Sequence, residues 1–89
     1  MNVSRLGDIC AGHTGSGSPS ITGASTVFVN GLPVNKVFDV WREHENKTPV
    51  LLTGSSTVFV EGLGVGRVGD SLSCDSTIAT GSDNVFCGG

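Results

Sequence analysis

Residues 23–39 (GASTVFVNGLPVNKVFD) and 54–70 (GSSTVFVEGLGVGRVGD) are identical at 11 of 17 positions, so the chain repeats itself with a period of 31 residues. The same shift places residues 3–8 beneath residues 34–39 and 65–70, which makes the N-terminus the second half of a unit. The missing first half lies at the other end, where residues 80–89 align with residues 22–31 and 53–62. Three units are present, and one is divided between the two termini. Pairing the ends closes the units into a ring of approximate threefold symmetry, with no free end to fray.

Each unit reads as a β-hairpin. Residues 25–29 and 56–60 are β-branched and aromatic runs. Asn30-Gly31 suits a two-residue type I′ turn, whose central residues both need positive φ, and Glu61-Gly62 occupies the same place. Residues 32–37 and 63–68 are the return strands. The third hairpin pairs residues 84–87 with residues 3–6. Val27 and Val29 face one side of their strand and Phe28 the other, so both faces are apolar. One face can meet the other hairpins in a central core; the other requires a covering loop or a partner.

With 89 residues, 14 of them Gly, the chain has room for one domain over 1–89 and a small core. A net charge of −3, with five scattered Lys and Arg, provides no electrostatic footprint for nucleic acid. No apolar run approaches the roughly 20 residues that span a bilayer, and the first 20 residues lack the basic and apolar regions of a secretory signal. Synthesis in the cytosol is expected. Three cysteines made under reducing conditions point to metal ligands or buried thiols rather than disulfides.

The connections between units are residues 9–22, 40–53 and 71–80, and threefold symmetry starts all three at the same end of the ring. The two His of the chain, His13 and His44, each stand five residues after a repeat aspartate, Asp8 or Asp39, and Cys74 stands four after Asp70. Cys10 adds a Cys-x-x-His step. A tetrahedral metal site of Cys10, His13, His44 and Cys74 therefore fits the spacing; zinc suits it best and ferrous iron is acceptable. A structural metal would supply stability that a small glycine-rich core lacks. The plainer reading of any such cysteine is a small buried hydrophobe, which is the reading for Cys87, aligned with Val29 and Val60. Asp8, Asp39 and Asp70 read as turn caps that accept backbone N–H groups. Trp41 reads as a lid over the loops or as an exposed contact for lipid head groups. Phe38, where the other units have Gly before Asp, is expected to tilt the loop toward His44.

Residues 22–34 (TGASTVFVNGLPV) and 65–70 (VGRVGD), with the opening RLGD of 5–8 and the closing GSDNVFCGG of 81–89, resemble the PAAR-repeat family over nearly the whole chain. The resemblance implies an all-β, cone-shaped fold with a metal near its apex. It also implies a place on the end of a trimeric β-helical spike, VgrG-like in type VI secretion or the central spike of a contractile phage tail. The family's metal is typically held by three His and one Cys, whereas this chain has two His, which leaves Cys10 as the natural fourth ligand. No effector extension is expected at either end.

A monomer with approximate threefold symmetry can cap a true trimer one copy per three chains, ending its open strands. Three loops tied by one metal then form a stiff point for piercing a membrane, with transient contact at the tip and delivery across the target membrane. The expected role is mechanical, not catalytic. Two other classes are a zinc-dependent hydrolase using Glu43 or Glu45 as base, and a zinc-stabilised binding module.

Overall fold

The computed structural model describes residues 1–11, 17–43 and 48–88; His13, His44 and Glu45 lie outside them. Among the described residues the secondary structure is β without helix, and no helix is long and apolar enough to cross a membrane. The fold measures 30 × 24 × 22 Å.

Strands β1 (Phe28–Val29) and β2 (Leu32–Pro33) form one antiparallel hairpin, and β3 (Phe59–Val60) and β4 (Leu63–Gly64) form its repeat. Both turns are of the anticipated kind, with φ of 54° and 78° at Asn30 and Gly31 and of 53° and 82° at Glu61 and Gly62. The third hairpin is made by the termini. Asn2 bridges Phe86, the Val3 N–H donates to the Val85 carbonyl at 3.0 Å, and the Cys87 N–H donates to the Met1 carbonyl at 2.9 Å.

The ladders are shorter than the apolar runs suggest, because each return strand leaves its own hairpin after two residues and crosses to the next unit. Val34 bridges Arg5, Val65 bridges Lys36 and Val3 bridges Arg67, three repeats of one contact. On the axis the crossing closes a ring of backbone hydrogen bonds. The Ser4 N–H donates to Gly66 at 2.9 Å, the Gly66 N–H to Asn35 at 2.8 Å, and the Asn35 N–H back to Ser4 at 2.9 Å. These three positions are 31 residues apart in sequence.

The axial ring separates two apolar clusters. Val3, Ala24, Val34, Val60 and Val65 pack on the hairpin side, whereas Cys10, Trp41, Leu51, Leu72, Cys74 and Ile78 pack on the loop side. Asn35 is fully buried between them and satisfied: its Oδ1 accepts from the Ser4 hydroxyl at 2.6 Å and its Nδ2 donates to the Thr22 carbonyl at 3.0 Å.

Hairpin tips interlock around the ring. Asn30 Oδ1 accepts from the Ser82 hydroxyl at 2.6 Å; Glu61 Oε2 accepts from the N–H groups of Ser25 and Thr26 at 3.0 and 3.1 Å; and the Gly88 carbonyl accepts from the Ser55 hydroxyl at 3.1 Å. Each tip is thereby held by a neighbouring unit.

Candidate functional site

Each return strand enters its loop through the same clamp. Asp8, Asp39 and Asp70 each accept the N–H of the residue three positions earlier, at 2.7, 2.7 and 2.8 Å, which is the capping role expected of them. The side chain of that earlier residue adds an ion pair, Arg5–Asp8 at 2.9 Å, Lys36–Asp39 at 3.0 Å and Arg67–Asp70 at 3.0 Å. The hydroxyls of Thr80, Thr22 and Thr53 donate to the second carboxylate oxygen at 2.9, 2.8 and 2.9 Å. Burial alone would push the Asp8 carboxyl up. The hydrogen bonds from Arg5 and Thr80 outweigh it and hold the group below the usual aspartate range.

Beyond the clamps the three segments reach Cys10, Trp41 and Leu72, which are 31 residues apart and occupy one repeat position. Their N–H groups close the necks of the loops, donating to the carbonyls of Ser18 at 3.0 Å, Pro49 at 2.9 Å and Ser76 at 2.9 Å. The third loop is the shortest and turns back at once: the Asp75 N–H donates to the Leu72 carbonyl at 3.1 Å, with Asp75 at φ 65°.

Two of the four expected ligands, Cys10 and Cys74, are buried in the same loop-side cluster. The Cys10 Sγ accepts the Ser18 N–H at 3.3 Å and lies 3.6 Å from the Ser18 hydroxyl. The other two, His13 and His44, lie outside the described residues. Among the described residues no three of His, Cys, Asp and Glu come together as a metal-binding group. Glu43 is exposed.

Trp41 is fully buried, and its indole N–H donates to the Asp8 carbonyl at 3.1 Å. It packs in the loop-side cluster, and the alternative of an exposed lipid contact is overturned by that burial. Ser18 was not singled out from the sequence; the repeat contains no signal for it, because the aligned position in the second unit is Pro49. Phe38 does not tilt its loop as far as Trp41. Its N–H donates to the Leu51 carbonyl at 2.9 Å, matching the bonds of Gly7 to Ser20 and Gly69 to Ile78.

At the opposite end the hairpins present an apolar base. Phe28, Phe59 and Phe86, one from each unit, are 56%, 59% and 60% exposed. Valines of all three units, with Phe86 and Cys87, wall a cavity of about 170 Å³. Cys87 is half-buried there, packed against the hairpin-side cluster where the other units have Val29 and Val60. The apolar face that needed a cover in the sequence reading is left uncovered by the loops.

A family model for the PAAR motif matches residues 42–89, just over half of the chain. The chain belongs to the PAAR-motif family. Among curated proteins none matches it. The antiparallel hairpins, without helix among the described residues, agree with the PAAR fold, and the matched stretch contains most of the second loop, the complete unit of 54–70, the third loop and the C-terminal strand. PAAR-motif proteins are structural spike-tip proteins, so membership supports a spike-tip-associated role in contractile injection systems in general.

Proposed function

We propose that this PAAR-motif protein caps a trimeric β-helical spike, VgrG-like or a phage central spike, with one copy on each trimer. The observation that carries the reading is the base: three exposed phenylalanines at one repeat position, together with an apolar concavity walled by valines of all three units. Large exposed apolar patches of this kind are association surfaces, and a threefold face is complementary to a threefold partner. The protein is a monomer by itself, is assembled onto the tube in the cytoplasm and is delivered with it across a target membrane, touching lipid only in passing at the loop end.

The loop end is the point, stiffened by one structural metal held by Cys10, His13, His44 and Cys74. The donor chemistry fits: two thiols converge in one buried cluster, and an N–H bond to the Cys10 sulfur is the kind of outer contact that orients a thiolate ligand. Two sulfurs and two imidazole nitrogens favour zinc, with ferrous iron the next best match. When bound, the metal would tie the loops together so that they cannot splay under load. The role is mechanical, and no residue is assigned to catalysis.

Two measurements test the reading. Size-exclusion chromatography with light scattering, using a purified trimeric β-helical spike protein, should return a 1:3 complex; no complex, or another ratio, refutes the cap. Elemental analysis should find one metal per chain, lost in each of C10A, H13A, H44A and C74A. Retention in any of these variants removes that residue from the ligand set.

A further inference from the structure

Nine of the ten residues lining the base cavity fall into three repeat triplets, and the tenth is Phe86. Val3, Val34 and Val65 occupy one repeat position and are the most deeply buried, at 4%, 1% and 3% exposure. Val29, Val60 and Cys87 occupy a second, and Val27, Val58 and Val85 a third, of which Val27 and Val58 are exposed at 38% and 41%. Every triplet is spread over all three units, so the concavity lies on the axis and grades from exposed to buried. No charged side chain is among its lining residues.

We propose that this concavity is a socket for three apolar side chains, one from each chain of a homotrimeric partner, meeting on the axis. The inference rests on the capping reading and adds what the partner must present: a tip ending in aliphatic residues that converge, rather than a flat ring of strand ends. The volume carries the argument. At about 170 Å³ the cavity exceeds the roughly 150 Å³ that holds a benzene molecule, enough for a cluster of methyl-bearing tips and too large to leave empty in a tight interface. A single side chain from an asymmetric partner would contact one wall of three. A second copy of this chain, base to base, would join two concavities and fill neither.

The molecule contains its own reporter. Of its cysteines, Cys10 and Cys74 are buried, while Cys87 is half-buried in the socket wall. Under native conditions N-ethylmaleimide should alkylate Cys87 well ahead of the other two, read peptide by peptide by mass spectrometry. With an excess of a purified trimeric β-helical spike protein, Cys87 alkylation should slow at least tenfold. A spike variant with its converging terminal aliphatic residues cut back to serine should bind at least tenfold more weakly, since several buried methylene groups are lost. Should the spike bind 1:3 with Cys87 still labelled at the free rate, or the serine variant bind as well as the parent, the socket is refuted and the cap stands. Absence of any binding refutes both. V58W, which fills the mouth, should lose docking while keeping the circular dichroism of the parent; unaltered docking by that variant would equally overturn the socket.

Discussion

Phe38 has a φ of 79°, a conformation that the other two units give to Gly7, at 92°, and Gly69, at 95°. A β-carbon added at either glycine would meet nothing within 4 Å, so the cost at Phe38 is backbone strain and not collision. For an L-residue that strain is about 1–2 kcal/mol, against which the extra unfolded-state freedom of glycine weighs roughly 0.5–1 kcal/mol. Because the Phe38 ring is 65% exposed, it recovers little by packing. Phe38→Gly should therefore stabilise the protein by about 0.5 kcal/mol, a rise in Tm of roughly 2–4 °C for a domain of this size by thermal circular dichroism. A fall in Tm would show that the aromatic ring contributes more than its exposure indicates. The anomaly itself was legible from the repeat; its consequence was not, because a strained φ is a local adjustment that leaves the flanking hydrogen bonds in place.

At the scale of the elements, the three clamps bind each return strand to its loop, and the Asp8 clamp makes stability depend on pH. The Asp8 carboxyl titrates lower in the folded protein than in the unfolded chain, so its contribution is fully present above the unfolded value of about pH 4 and is lost as pH falls through the folded one. Glu61 shifts in the same direction, chiefly through the hydrogen bond from the Thr26 hydroxyl. Tm should fall steadily below about pH 4, and Asp8→Asn should flatten that part of the profile. An unchanged acid limb in Asp8→Asn would place the pH dependence elsewhere. The third clamp is the most enclosed, with Arg67 at 8% and Asp70 at 4% exposure. Asp70→Ala leaves the Arg67 guanidinium buried without its counter-ion, and urea unfolding should report a loss of about 3 kcal/mol. The repeat spacing identified these aspartates as caps. It did not reveal the threonine hydroxyl, which reaches each carboxylate from the start of the same hairpin unit.

At the scale of the whole molecule the seam decides whether there is a fold at all. Both apolar clusters, and the axial ring between them, draw residues from all three units, so none can form while one unit is open. Deleting residues 82–88 removes the fully buried Ser82 and the strand that pairs with Asn2, and the truncated chain should lose cooperative thermal unfolding by calorimetry. A sharp transition near the parent Tm would mean that two units suffice. The base belongs to this scale too: its phenylalanines are far apart in sequence and become one face only when the ring closes. The sequence by itself determined the threefold ring, its turns and its terminal seam, because a repeat of identical hairpins repeats the same local torsions and the same apolar demand. Tertiary structure alone decided how the strands cross between units, that Trp41 is buried in one cluster with Cys10 and Cys74, and that the valines enclose a hollow. Those outcomes depend on which side chains meet across an axis, a distance in space that no spacing along the chain encodes.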